Sequence, residues 1–263
     1  MFRLTPVVKN LLIINIAVAI LNYFLDGWIN DKLAFYGFLS NNFAPYQIFT
    51  YMFLHAGFSH IFHNMLGLFF FGPHLEEFWG SNRFLKFYLI TGIGAGLLYS
   101  SINFYEARQL QNDVQEYVES PTPEGFFTFL RAHYPLYARD PQVSDIAVRF
   151  ADEPDSPQLI ESSLRQVRGL EYYIINNSSM LGASGAVFGI LFAFGFLFPN
   201  LEIMLLFFPI PIKAKYLVFG FGALALYGAL HRAPGDNVAH FAHLGGMLFA
   251  FIFIKVWKSN KNF

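Results

Sequence analysis

The sequence predicts an all-α membrane protein with six transmembrane helices and a soluble helical insertion between the third and the fourth. The first observation is composition: 55% of the 263 residues are hydrophobic and only 13% are charged, whereas charged residues make up about a quarter of a soluble domain. The second is that apolar stretches recur, each close to the roughly 20 residues with which a helix crosses a bilayer. The third is that a long polar stretch, residues 104–176, separates two groups of these segments.

Three spans are predicted before the polar stretch, at residues 7–25, 48–71 and 84–101. Arg3 and Lys9 make the first of them similar to a signal peptide, but no small-residue cleavage site stands before Asp26. We therefore expect a span that is retained. Gly72-Pro73 is a typical helix stop, so the second span is expected to end there.

The polar stretch carries twelve of the 18 acidic residues and six of the 17 basic ones, a local net charge of −6. Three prolines in it each follow a residue that can cap a helix, in Thr122-Pro123, Asp140-Pro141 and Ser156-Pro157. Apolar residues follow each pair at spacings of three and four, which predicts three short amphipathic helices. A further helix is expected over residues 109–117. Residues 104–176 are thus predicted to form an acidic, extracytoplasmic helical insertion within a membrane domain that covers residues 1–263.

The last three spans are predicted at residues 182–198, 216–230 and 238–256. Basic residues of the short connections fall mostly on one side: Arg3, Lys9, Arg83, Lys86, Lys213, Lys215, Lys255, Lys258 and Lys261. The other side has Lys32 and Arg232. Because cytoplasmic loops are enriched in Lys and Arg, we expect both termini in the cytoplasm. The chain has no cysteine, and its net charge of −1 gives no indication of a nucleic-acid partner.

Ser184 is the candidate nucleophile, and it stands among small residues at the mouth of the fourth span, in Gly182-Ala-Ser-Gly185. Gly185 and Gly189 are four residues apart, a spacing typical of helix packing in membranes. This stretch alone therefore favours a structural role. A catalytic role for Ser184 depends on whether other spans place polar side chains at the same depth in the membrane.

Polar side chains of two other spans lie at the depth of Ser184, since all three segments enter from the extracytoplasmic side. His60 and Asn64 are four residues apart and share one helix face. An ionisable residue inside a span is costly and indicates a function. A serine needs a base to attack a carbonyl, and His240 or His243 of the sixth span can supply it. The oxyanion then needs hydrogen-bond donors, such as His60, Asn64 and backbone N–H groups.

Four motifs follow one another along the predicted spans: His55-x4-His60-x3-Asn64, Gly72-x3-Glu76-x3-Gly80, Gly182-Ala-Ser184-Gly185 and Ala242-His243-Leu-Gly-Gly246. Together they resemble the rhomboid intramembrane serine proteases, over the whole chain except the insertion. The resemblance implies a dyad without a third acid, in which Ser184 is the nucleophile and His243 the general base. It implies an oxyanion hole formed by His60, Asn64 and the backbone N–H of Ser184. Gly182 would shape the loop beside it, and neither a metal nor an organic cofactor is implied.

The resemblance also distinguishes the two histidines of the sixth span, because His243 and not His240 stands three residues before the packing glycine, Gly246. Phe188 would lie under the imidazole and hold its plane without a carboxylate. Asp236, in the preceding loop, is a weaker candidate for that orienting role. Helix packing is assigned to Gly185, Gly189 and Gly246, which would let the sixth span approach the fourth closely.

The sequence therefore predicts an intramembrane serine endopeptidase that sits in the lipid bilayer and cleaves transmembrane-helix substrates near its extracytoplasmic face. One alternative is an inactive relative that binds client transmembrane helices. Another is a membrane metalloprotease or transporter that uses the histidines of the spans, His55, His60, His63, His240 and His243. No HExxH motif is present and no span carries acidic ligands, so a hydrolytic zinc site would lack its usual spacing and its general base. The sequence specifies neither the substrate nor the oligomeric state.

Overall fold

The computed structural model describes residues 3–205, 208–231 and 238–259, most of them in helices. The α-helices within these ranges are α1 (Pro6–Phe24), α2 (Trp28–Leu33), α3 (Gln47–Thr50), α4 (Phe58–Trp79), α5 (Ser81–Glu119), α6 (Pro123–His133), α7 (Pro141–Asp152), α8 (Pro157–Asn177), α9 (Ser184–Leu197), α10 (Ala214–Leu230) and α11 (His240–Ser259). Short antiparallel strand pairs accompany them, β1 (Phe35–Tyr36) with β2 (Ser179–Met180) and β3 (Glu202–Leu205) with β4 (Phe208–Lys213).

α9 is the central helix of a bundle in which it contacts α4, α5, α10 and α11. Nine of its 14 residues are buried, because neighbouring helices cover it from several sides. α1 packs against α4. Within the described ranges, α1, α5 and α11 are long and apolar enough to cross a membrane, while α9 and α10 are shorter apolar helices. The bundle therefore has the character of an integral membrane protein.

The second predicted span differs from the structure at both ends. α4 begins only at Phe58, because α3 and a 3-10 turn over Tyr51–Phe53 precede a break in the helix. The predicted stop at Gly72-Pro73 is wrong, since Pro73 lies inside α4 and the helix continues to Trp79. A proline removes one backbone hydrogen bond, yet α4 continues for six residues beyond it.

α5 is a continuous helix of 39 residues, from Ser81 to Glu119. The predicted boundary at residue 104 falls inside it, and residues 109–117, expected as a separate helix, belong to its C-terminal half. Residues 97–119 contain neither proline nor glycine, so no helix breaker interrupts α5 where its sequence changes from apolar to polar.

A second hydrophobic core lies between the C-terminal half of α5 and helices α6, α7 and α8, and we call this part the accessory cluster. Its buried residues are Leu110, Val114, Tyr117, Phe126, Phe129, Leu130, Val143, Ala147, Phe150, Leu159 and Val167. The three helices predicted from cap-proline pairs are confirmed. Thr122 caps α6 by accepting a hydrogen bond from the N–H of Gly125, and Asp140 caps α7. Ser156, the expected cap of α8, makes no such side-chain bond.

The accessory cluster is joined to the loop after α2 at two points. β1 pairs with β2, so Phe35 lies opposite Met180. Asn176, near the end of α8, accepts a 2.8 Å hydrogen bond from the N–H of Asn41 on its side chain. Its backbone carbonyl accepts one of 3.0 Å from the side chain of Asn42. The chain that leads from α8 into α9 is therefore held on this loop.

Candidate active site

The backbone at Gly182 fixes the approach to Ser184, which begins α9. Its φ of +130° lies in a region that residues with side chains rarely adopt. The N–H of Gly182 donates a 2.9 Å hydrogen bond to the carbonyl of Tyr51. A Cβ at this position would lie 2.7 Å from the imidazole of His60. Both the conformation and the available space therefore require glycine here.

Close packing of α9 on α11 brings Ser184 and His243 together. Oγ of Ser184 lies 3.0 Å from Nε2 of His243, within hydrogen-bonding distance. In the same contact between the helices, a Cβ on Gly246 would overlap the carbonyl oxygen of Gly185. The missing side chains at this contact are therefore what allows the two helices to approach so closely.

The imidazole of His243 is stacked on the ring of Phe188. Their centroids are 4.0 Å apart and their planes differ by 5°, so the aromatic ring restricts the orientation of the imidazole. His240 begins α11, and its ring lies beside Gly228 of α10. Asp236, the weaker candidate for the orienting role, lies outside the described residues.

His60 and Asn64 place hydrogen-bond donors beside the loop that leads to Ser184. Nδ1 of His60 accepts a hydrogen bond of 3.3 Å from the N–H of Ala56, so the neutral ring carries its proton on Nε2. That Nε2 is one of the two His60 atoms that a Cβ on Gly182 would meet at 2.7 Å. The amide nitrogen of Asn64 is buried and has no hydrogen-bond partner among the described residues. The Nε2–H of His60 and the amide of Asn64 are therefore placed to donate hydrogen bonds to an acceptor on a bound molecule.

The structure adds one contact to a neighbouring residue and places another outside its predicted helix. Gly189 packs closely on α5, since a Cβ there would be 2.9 Å from Cβ of Thr91. His55, the first residue of the histidine motif, precedes α4 and is not part of it. Its ring nevertheless meets that of His60 edge-on, with the centroids 5.1 Å apart.

Two residues that position the site carry no recognisable sequence signal. Tyr51 is 1% exposed, and besides its bond to Gly182 its hydroxyl donates a 2.6 Å hydrogen bond to the carbonyl of Gly92. It thus ties the loop before Ser184 to α5. Asn176 holds the same stretch of chain on the loop after α2. A tyrosine in an apolar stretch and an asparagine near a helix end are too common to indicate such roles.

These residues define a class: a helical membrane protein in which a serine and a histidine meet inside the bundle, next to spare hydrogen-bond donors. A hydroxyl beside an imidazole is the arrangement of nucleophilic acyl transfer. In the described part of the chain, no three His, Asp or Glu side chains lie close enough to hold a metal ion.

Comparison with known proteins identifies the family. The sequence model of the Rhomboid domain matches residues 42–110 and 166–259, more than half of the chain. The chain therefore belongs to the rhomboid family. The residues between the two matched segments, 111–165, fall in the accessory cluster.

A curated relative supports this assignment over part of the chain. RHOMBOID-like protein 1 of Arabidopsis thaliana is 43% identical over 58 residues, which is 22% of this chain. The match spans 15% of the length of that relative.

Proposed function

We propose that this member of the rhomboid family is an intramembrane serine endopeptidase in which Ser184 and His243 form the catalytic dyad. The observation that carries the proposal is the 3.0 Å distance between Oγ of Ser184 and Nε2 of His243. The stacked ring of Phe188 supports it, because it restricts the imidazole to the orientation of that contact. No metal or organic cofactor is required.

In the proposed reaction, Oγ of Ser184 bonds to the carbonyl carbon of a substrate peptide while Nε2 of His243 takes the hydroxyl proton. His243 then gives this proton to the amide nitrogen as the C–N bond breaks, which leaves an acyl ester on Ser184. Water attacks the ester with His243 as its base. The acid product leaves as the serine hydroxyl is restored.

Stabilisation of the oxyanion is assigned to His60, Asn64 and the backbone N–H of Ser184. The Nε2–H of His60 and the buried amide of Asn64 support this role, because both lie beside Gly182. The N–H of Ser184 belongs to the first turn of α9, where backbone donors have no partner within the helix. Loss of one donor of this kind costs about 10²–10³ in rate.

The proposed topology has six transmembrane helices, α1, α4, α5, α9, α10 and α11. Both termini are cytoplasmic, and residues 104–176 and the mouth of the site are extracytoplasmic. The concentration of Lys and Arg in the connections of one side supports this orientation. The substrate is a transmembrane helix that unwinds locally, because a helix engages its carbonyls in internal hydrogen bonds and only an extended segment can present one.

Reconstitution of the full chain in lipid vesicles with a protein that carries one transmembrane helix tests the proposal. We expect Ser184→Ala and His243→Ala each to lower cleavage by at least about a thousandfold, since either change disables the pair as a unit. His240→Ala, in the same turn of α11 as His243, is the matched control and should keep its activity.

Equal cleavage by the wild type and both dyad variants would falsify the dyad. Loss of activity in His240→Ala with activity retained in His243→Ala would assign the base to the other histidine. A wild-type protein that captures the substrate helix and never cuts it would be a client-binding member of the family.

A further inference from the structure

A groove of about 700 Å³ lies between α1, α2 and α4, and the proposed reaction uses none of the residues that line it. Its volume is within the range of about 300–1,000 Å³ that is typical of ligand sites. Ile16, Ile20, Ile61 and Met65 line its apolar part. Ile16 and Ile20 are 46% and 52% exposed, so the groove is open along α1. In a membrane this opening faces the lipid.

One end of the groove is polar. Asn22, Asn30 and His55 line it there. The backbone N–H of Asn30 donates to Oδ1 of Asn22 at 2.9 Å, and its side-chain amide donates to the carbonyl of His55 at 3.0 Å. Among the described residues, neither ring nitrogen of His55 nor Oδ1 of Asn30 has a partner, although all three atoms are buried. His55 is only 5% exposed, and polar groups buried without partners are costly.

The groove is polar at the end nearer the membrane interface and apolar deeper along α1, as a lipid is polar at its head group and apolar along its acyl chain. Its polar end lies near the end of α1, where Asn22 is followed by the exposed ring of Tyr23, a residue typical of the membrane interface. Ile16 lies more than one helical turn deeper along α1. All the residues that line the groove, each within the described part of the chain, are uncharged. A charged head group would find no counter-ion among them.

We propose that this groove binds one molecule of an uncharged glycerol ester lipid, a monoacylglycerol. The acyl chain lies along Ile16, Ile61 and Met65, and the hydroxyl and ester groups lie at Asn30 and His55. A neutral imidazole offers one donor and one acceptor, and Oδ1 of Asn30 offers a second acceptor. These match an ester carbonyl together with hydroxyl groups.

Photocrosslinking of the full chain in phosphatidylcholine nanodiscs tests the site. The probe is a monoacylglycerol with a diazirine in its acyl chain, and labelled peptides are identified by mass spectrometry. We expect labels to concentrate in residues 16–24 and 55–65. His55→Phe should reduce this labelling about tenfold, because a flat aromatic ring remains while the donor and the acceptor proposed to bind the lipid are lost. His63→Phe is the matched control, since His63 is an exposed histidine near the start of α4 that does not line the groove.

A second pair of variants keeps the test valid if His55→Phe does not fold. Ile16→Trp fills the groove and should abolish the labelling, whereas Ile13→Trp, an exposed position of α1 outside the groove, should not. Equal labelling in the two histidine variants, or labels spread evenly over the lipid-facing surface, would overturn the proposal. So would displacement of the probe by an excess of a transmembrane substrate helix, which would assign the groove to substrate. Labelling needs no proteolysis, so its failure leaves the dyad untouched.

Discussion

The contact between Gly246 and Gly185 determines how closely α11 approaches α9 at the level of Ser184. Any side chain on Gly246 would overlap the carbonyl oxygen of Gly185. The 3.0 Å distance between Ser184 and His243 therefore depends on two residues that have no reactive group.

Gly246→Ala tests this dependence. We expect the free energy of unfolding to fall by about 1–3 kcal/mol, as in other overpacked cores. Cleavage should fall about a hundredfold, because a displacement of about an ångström at reacting groups has that effect. Thermal unfolding in detergent and cleavage in vesicles measure the two quantities.

Gly220→Ala, in α10, is the control, since a Cβ there meets no atom within 4 Å. If Gly246→Ala matched this control in both stability and activity, the contact between the glycines would not set the geometry of the pair.

At the residue scale, motif spacing predicted which side chains would meet but not every helix contact. Ser184 and His243 lie 3.0 Å apart, the contact that the resemblance of their motifs implies. The close contact of Gly189 with Thr91 of α5 was not predicted, since a small residue indicates that some helix comes close without indicating which one. Tyr51 was missed because it binds Gly182 through its backbone carbonyl, which any residue has, and because the bond from its hydroxyl to Gly92 leaves no local pattern.

At the scale of elements, Glu76 holds the start of α1 against α4. The side chain is 2% exposed. Oε2 accepts hydrogen bonds from the hydroxyl of Thr5 at 2.5 Å and the N–H of Val8 at 2.9 Å. Oε1 accepts from the N–H of Val7 at 3.0 Å and the hydroxyl of Ser81 at 2.6 Å. The carboxylate thus satisfies free donors at the N-terminus of α1, where the helix dipole favours negative charge.

Glu76→Gln should lower the free energy of unfolding by about 2–4 kcal/mol. The amide NH2 would face donors where a carboxylate oxygen accepted, and hydrogen bonds to a charged group contribute about 1.5–3 kcal/mol each. Glu77→Gln, at the exposed neighbouring position, is the matched control. The measurement is thermal unfolding in detergent, and equal transition temperatures for the two variants would contradict the assigned role.

The ends of a helix were predicted well only where its apolar stretch ends at the same residues as the helix itself. α1, α9 and α10 begin and end within two residues of the predicted spans. α5 does not end where its apolar part ends, because hydrophobicity indicates the extent of the membrane and helix breakers determine the extent of the helix. Pro73 shows the converse, since a residue that commonly stops a helix lies inside α4.

At the scale of the whole molecule, the accessory cluster has a hydrophobic core of its own, distinct from that of the bundle. We expect it to influence which substrates reach the site, because its last helix leads through β2 directly to Ser184.

Replacement of residues 106–171 by a short Gly-Ser linker tests this expectation. The deletion removes most of the second core at once, so the bundle should still fold and cleave. The relative cleavage rates across a panel of transmembrane substrates should change. The same deletion combined with Ser184→Ala measures cleavage that does not depend on Ser184. Unchanged relative rates across the panel would contradict an influence of the accessory cluster on substrate choice.

The sequence predicted the helical membrane class and the helices of the accessory cluster, because both follow from local composition and capping residues. It did not predict how the cluster is attached. The hydrogen bond between Asn176 and Asn41 joins positions 135 residues apart, and the residues paired between β1 and β2 are even further apart in sequence. Contacts of that kind arise from the folded arrangement and leave no local pattern.

The length of α5 has a consequence for the shape of any substrate. At 1.5 Å per residue its 39 residues extend about 58 Å, nearly twice the hydrocarbon thickness of about 30 Å. In the proposed topology, almost half of this helix projects above the membrane, on the side where we propose that cleavage takes place. We therefore expect a bulky folded domain close to the membrane to collide with this projecting half of α5 before its peptide reaches Ser184. On this expectation, a substrate that carries such a domain would need a flexible segment between the domain and the membrane.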